Sequence, residues 1–329
     1  MIRLSIIIPF YNVEKYIAEC LDSVFEQDIP EWEYEVICVN DGSPDGSRDI
    51  VTSYLPSHAN LKLIDHPRNM KLGAARNTGR QAARGKYIWY VDSDDKIAPN
   101  CLKHILETCE ERDLDVLEMC FCYNLHGYNV FDQSGSSYIS FRDNDIHTGP
   151  DYFERFIPNS MVGMCEIWRK VYKRSFLDDN KIFSPPINMG EDEPFAIEVF
   201  GLAKRMAYLD CDYYYYRRTN TSLSGEEKAS WSAEKWYEAS FVATKYMHQS
   251  LSKVKPNYTL FGQQKLEEMI RYQITLWRSY SFDSEVYTQF WKLAWKYFWS
   301  NRFIFNYISK KAGILYLLNV IKEGVKTNG

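Results

Sequence analysis

The 329-residue chain has eight cysteines, at positions 20, 38, 101, 109, 120, 122, 165 and 211, and no C-x-x-C pair among them. Zinc ribbons and thioredoxin-like redox motifs depend on that spacing. Several of these cysteines sit in apolar runs such as "VICVN" and "LEMCFCY", where a thiol behaves as a small hydrophobe. Neither a zinc site nor a disulfide framework is expected, and the cysteine usage reads as that of a reduced, cytosolic protein. Long hydrophobic runs are also missing. The longest late one, "AGILYLLNVI", has ten residues, half of the roughly 20 that a membrane span needs. Arg3 is followed by only a short apolar strand, so no secretory signal is expected. No G-x-G-x-x-G follows the first strand, where "PFYNVE" stands instead, and this excludes a nicotinamide-binding dehydrogenase. No internal repeat is evident.

Outside the end of the chain, acids outnumber basic residues. Val286–Gly329 carries seven basic residues against one acid, a charge of +6, so a total of −5 leaves −11 for the rest. An acidic body argues against a nucleic-acid partner. The basic end is also aromatic: Trp291, Trp295 and Phe298 recur at helical spacing beside Lys292 and Lys296. Two readings of this tail stand. Its helices pack within the protein or against a second copy of the chain, or they lie on an anionic membrane surface.

The first half alternates strand and helix signals. "LSIIIPFYN" is a continuous apolar run, as expected of a strand buried on both faces. Asn12 is placed to cap a helix in "VEKYIAECLDSVFEQ", where Ile17, Cys20, Leu21, Val24 and Phe25 keep helical spacing. "EYEVICVNDGS" and "LKLIDH" read as strands flanking a helix in "SRDIVTSYL". A helix over about 73–84 leads into the strand "KYIWYV", and "CLKHILETCEER" into the strand "LDVLEMCFCY". Such alternation predicts an α/β fold, a doubly wound and mostly parallel sheet whose ligands bind beyond the carboxyl ends of the strands. Residues 123–148 turn polar and read as an insertion or a loop-rich edge. "MAYLDCDYYYYRR" reads as a late strand. From Ala229 the pattern is helical only, giving a domain over 1–228 and a helical region over 229–329.

Polar clusters close three of the strands: "PFYN", "NDGS" and "DSDD". Asp41 is either a turn residue bonding the backbone two positions on, or an acceptor for a nucleobase edge. Asp92 and Asp94 share a face in an extended segment, so both can approach one divalent cation; their hard oxygens suit Mg²⁺ or Mn²⁺. The alternative is a solvated loop with Ser93 or Asp95 capping a turn. In "NMKLGAARNTGRQAARG" small residues let a helix start lie close to a ligand, and Arg76 offers a fork to a diphosphate. The alternative there is a surface arginine on an Ala-rich helix. Glu191 and Asp192 in "MGEDEPF" either complement a helix dipole or supply a general base.

Taken together, "SIIIPFYN", "VNDGSPDGS", "GAARNTG", "YVDSDD" and "MGEDEPF" resemble, in order and spacing, the family 2 glycosyltransferases of the GT-A fold. The likeness is detailed to about residue 115 and looser to about Ser224, where "IWRKVYKRSFL" and "YYYYRRTNTSLS" resemble the bacterial surface-polysaccharide branch. The resemblance implies that Pro9 and Tyr11 line the base pocket and that Asp41 meets uracil. It places Asn69 and Arg76 near the base and diphosphate, and Asp92 and Ser93 at the ribose and metal. Asp94 would ligate Mn²⁺ or Mg²⁺, and Asp192 would be the base. Arg217, Arg218 and Ser222 resemble a segment that closes over the diphosphate. It further implies an inverting transfer from a UDP-sugar to a saccharide acceptor, lipid-linked in many relatives, at the inner face of the cytoplasmic membrane. Two positions depart from the pattern: Lys71 stands where relatives usually carry Gly, and the basic pair after Tyr216 is adjacent. A catalytically silent binding module and a nucleotidyltransferase are the competing classes.

Overall fold

The structure, a computed structural model, describes residues 1–119, 122–125, 128–131, 145–156, 165–187 and 190–217, with short stretches between 242 and 257. The core is a seven-stranded sheet with spatial order β10-β6-β9-β4-β1-β2-β3. Its strands are β1 (Leu4–Phe10), β2 (Tyr34–Asn40), β3 (Leu61–Asp65), β4 (Tyr87–Tyr90), β6 (Val116–Met119), β9 (Lys170–Lys173) and β10 (Met206–Leu209). All run parallel except β9, which is antiparallel to both β4 and β6.

Every residue of β1, β2 and β4 is buried, so these strands need apolar side chains on both faces. Ile7, Ile37, Ile88 and Tyr90 enter one hydrophobic core, while Ile6, Ile8, Cys38 and Trp89 enter the other. The two cores are roofed by α1 (Ile17–Phe25), α2 (Ser47–Tyr54), α3 (Leu72–Ala82), α4 (Leu102–Glu111), α5 (Gly149–Phe156), α6 (Arg174–Asp179) and α7 (Asp192–Leu202). Pro9 is tolerated in a central strand because of where β4 ends. The Ile7 carbonyl accepts from Val91, so Pro9, two residues on, faces the same side at the point where β4 has given way to a turn. Its missing N–H therefore costs no ladder bond.

A second, four-stranded sheet has the order β5-β11-β7-β8, with β5 (Lys96–Ile97), β7 (Cys122–Leu125), β8 (Tyr128–Phe131) and β11 (Tyr214–Arg217). Three expectations change here. "LDVLEMCFCY" divides between β6 and β7, and "MAYLDCDYYYYRR" between β10 and β11, each pair in different sheets. The polar stretch after Tyr123, expected as an insertion or a loop-rich edge, opens with a β7–β8 antiparallel hairpin, and residues 132–144 of it lie outside the described residues. Asn12 does not cap α1: it has φ 56, its amide donates to Ser43, and the helix begins after Tyr16 without a side-chain cap. The tail aromatics, Arg218, Ser222 and the boundary near 228 lie outside the described residues.

Candidate active site

The carboxyl ends of β1 and β2 are tied together where the Asp41 amide donates to the Phe10 carbonyl at 2.9 Å. Gly42 follows at φ +74, and a Cβ there would stand 2.9 Å from the Arg68 carbonyl carbon. That close approach brings the loop after β3 over the end of β2. The buried Asp41 carboxylate secures it, accepting from the Met70 amide at 2.7 Å and the Lys71 amide at 2.8 Å. His66 Nδ1 lies 2.7 Å from the same carboxylate, and its Nε2 lies 2.9 Å from the Thr78 hydroxyl. Asp41 is thus neither a local turn residue nor an open acceptor: it organises a loop some thirty positions further on. The short-range turn bond comes from Asn40, whose Oδ1 accepts from Ser43 at 2.9 Å. Tyr11 is exposed at the end of β1, and the Asn69 Oδ1 accepts from the Lys71 amide at 3.2 Å.

Lys71, the position out of pattern, has a backbone suited to glycine. Its φ of 81 and ψ of 156 fall in a region that only glycine occupies comfortably, a strain of about 1–3 kcal/mol for an L-residue.

The helix α3 carries the next part of the site. Small residues do admit a close neighbour, but that neighbour is protein. A Cβ on Gly73 would stand 2.0 Å from the Pro185 carbonyl oxygen, and one on Gly79 would stand 2.3 Å from Ile7. Asn77 then pairs with Ser184 in both directions, Nδ2 donating to its carbonyl at 2.7 Å and Oδ1 accepting from its amide at 3.0 Å. Arg80 donates to the Ile182 carbonyl. This seam delivers residues 190–192 to Arg76.

Arg76 is buried, and its fork is committed to acids rather than open to a diphosphate. Nη1 donates to Asp192 Oδ1 at 2.7 Å and Glu191 Oε1 at 3.2 Å, while Nη2 donates to Asp92 Oδ1 at 3.1 Å. The expected phosphate fork is therefore corrected to a bridge among three carboxylates. A buried cation of this kind survives only with such partners. Phe195 fixes the start of α7 from the other side, meeting Tyr90 at 6.3 Å and Tyr172 at 5.5 Å, both edge to face. Tyr90 lies two residues before Asp92, and Phe195 three after Asp192, so one aromatic contact sets both acids.

Burial pushes the Asp192 carboxyl up to about 7. Arg76 opposes the shift, while Glu191 and Asp92 add to it. Burial and then Asp92 raise Asp94 to about 6. Burial, then Asp94 and Asp92, raise Asp95 well above the usual range. Asp95 is the residue that sequence reasoning undervalued: it is buried and joins the turn to β11 through Tyr214 and Arg217. Its only signal was position, directly after the D-x-D pair. Ser93 is buried in the same turn.

The donor chemistry of Asp92 and Asp94 fits a hard divalent cation. Among the described residues, no group of three or more His, Cys, Asp or Glu side chains could hold a metal alone. Substrate phosphate and water are candidates for the remaining ligands.

A doubly wound sheet with one reversed strand, a carboxylate turn after β4 and an acid pair opening α7 is the GT-A class of fold. The solved structure of residues 1–349 of TarS from Staphylococcus aureus, in complex with UDP-GlcNAc, superposes with a TM-score of 0.66 at 28% identity, covering 88% of this chain and 78% of that one. The model of "Glycosyl transferase family 2" matches residues 5–148. EpsJ of Bacillus subtilis, an uncharacterised glycosyltransferase, is 34% identical over 226 residues, which is 67% of this chain and 62% of EpsJ. Full-length TarS, a poly(ribitol-phosphate) β-N-acetylglucosaminyltransferase, is 33% identical over 242 residues, 72% of this chain and 39% of TarS. The chain belongs to the family 2 glycosyltransferases, and it spans less than two thirds of the length of either relative.

Proposed function

We propose that the protein is an inverting glycosyltransferase that moves a sugar from a UDP-sugar to a hydroxyl of a saccharide acceptor in surface-polysaccharide synthesis. The observation that carries this reading is the single guanidinium of Arg76 shared by Asp92 and Asp192. It holds a donor-side acid and a basic carboxylate at one fixed separation, as a one-base displacement needs. The acceptor oxygen forms a bond to the anomeric carbon, the bond to the β-phosphate oxygen breaks, and the electron pair leaves on UDP. Asp192, held near 7, takes the acceptor proton, because a base is most effective when its pKa lies near working pH. Asp92 and Asp94 would hold Mn²⁺ or Mg²⁺, which when bound neutralises charge on the departing diphosphate. Asp41 fixes the loop beside the base position, with Tyr11 and Asn69 on its rim, and Pro9 backs the end of β1.

The UDP-GlcNAc complex of TarS supports UDP as the carrier and N-acetylglucosamine as one donor to try. Among the described residues no helix is long and apolar enough to cross a membrane. Contact with a lipid-linked acceptor would fall to the basic aromatic tail, on the inner membrane surface or across a homodimer. A panel of nucleotide sugars with Mn²⁺, scored by UDP release and by thermal shift, tests the proposal. Release of UDP from one sugar, and only with acceptor present, is the expected result. Binding with no turnover of any donor would identify a silent module, and pyrophosphate release from a nucleoside triphosphate a nucleotidyltransferase.

A further inference from the structure

The strand β11 holds the carboxylate turn at successive points. The Tyr214 hydroxyl accepts from the Asp92 amide at 3.1 Å and donates to Asp95 Oδ2 at 2.7 Å. The Arg217 amide donates to Asp95 Oδ1 at 2.7 Å. Its side chain then reaches back over the turn. Nε donates to the Asp94 carbonyl at 2.8 Å, Nη2 pairs with Glu19 of α1, and the guanidinium stands 5.2 Å from the Tyr16 ring centroid. Glu19 is steadied in turn by Lys96 at 3.0 Å, from β5 on the far side of the turn.

Asp92, Asp94 and Asp95 lie within four consecutive residues, so the turn repels itself and needs an external hold. A diphosphate clamp requires an open guanidinium. Here two of the three nitrogens are engaged, one by a carboxylate that an incoming anion would have to displace. We propose that Arg217 is a positioning residue, locked between Glu19 and the Asp94 carbonyl, which fixes the Asp94 carboxylate for a divalent cation rather than gripping the donor's diphosphate. The inference rests on the nucleotide-sugar reading above and corrects the expectation that Arg217 closes over the phosphates.

The test uses the full chain and two variants, Arg217→Gln and Glu19→Gln. Glu19 cannot grip a phosphate, so an effect of its loss separates a latch from a clamp. Three quantities are measured: Mn²⁺ affinity with UDP present, UDP affinity in EDTA, and amide hydrogen exchange over residues 92–95 without ligand. Both variants should weaken Mn²⁺ by about 10–100-fold, as loss of an outer-shell partner does. They should quicken exchange in the turn and leave UDP binding in EDTA unchanged. The proposal is overturned if Glu19→Gln keeps wild-type Mn²⁺ affinity and exchange, or if Arg217→Gln weakens UDP binding in EDTA. Should the unmodified chain bind neither UDP nor Mn²⁺, the donor reading fails by itself. The exchange rates then still decide whether Glu19 and Arg217 hold the turn.

Discussion

Asp192 is held in a state that the isolated side chain would not choose. Burial raises its carboxyl to about 7 from its ordinary value of 3.8, so the folded chain binds this proton more tightly than the unfolded chain does. The folded state then loses stability as pH rises from the unfolded value through about 7. Asp192→Asn removes that loss. The variant should melt higher than the parent at pH 8, with the difference shrinking toward pH 5 and gone only below about 3.8, while transfer falls by about 10²–10⁴-fold. The parent's kcat should drop below neutrality, because the base must be ionised; a profile flat from pH 5 to 8 would reassign it. Lys71 is a second strained residue. Relief of its positive φ by Lys71→Gly should raise stability by about 1 kcal/mol, the strain released less the entropy that glycine adds to the unfolded chain, as read by urea denaturation. The sequence showed that Lys71 was out of pattern and that Glu191 and Asp192 were candidates. The choice between the acids depends on burial and on Arg76, more than a hundred positions earlier, and spacing carries no trace of either.

At the level of the element, α3 was legible as a helix and its glycines as demands for close approach, but the neighbour was misassigned. Gly73, Asn77 and Arg80 recur at helical spacing and take hold of residues 182–185, so the stripe is a docking seam for the segment that carries the base. Short-range pattern cannot name a partner so distant in the chain. It therefore offered a ligand at the helix start where the structure has a loop. The seam makes a sharp expectation for Gly73→Ala. The added methyl cannot fit 2.0 Å from the Pro185 carbonyl, so the loop must move. A stability loss of about 1–3 kcal/mol is expected, as for overpacking elsewhere. Because α7 moves with the loop, kcat should fall while UDP affinity stays at the parent value. A variant with lowered UDP affinity and normal kcat would place the glycine against the ligand after all.

For the whole molecule, the parallel sheet and its polar rim were readable because the buried strands are largely apolar and their ends are not. The second sheet was not. β6 and β7, and likewise β10 and β11, adjoin closely in sequence, and only the crossing from one sheet to the other parts them. That crossing lets β11 meet the turn after β4, so the fold spends a second sheet on a cluster of acids. Asp92, Asp94, Asp95, Glu191 and Asp192 converge with Arg76 and Arg217 as the basic side chains bound among them. An excess of buried negative charge destabilises the unliganded chain and awaits a cation. UDP and Mn²⁺ together should therefore raise the melting temperature more than the two added separately, since Mn²⁺ neutralises the acids that oppose a diphosphate and the diphosphate oxygens add ligands to the cation. At a hundredfold excess over Kd the linkage is worth about 2.7 kcal/mol, a shift of several degrees. EDTA should abolish the excess and leave only the shift due to UDP. Strictly additive shifts would mean that nucleotide and metal do not share the acids at this rim, and the site would then have to be sought elsewhere in the fold.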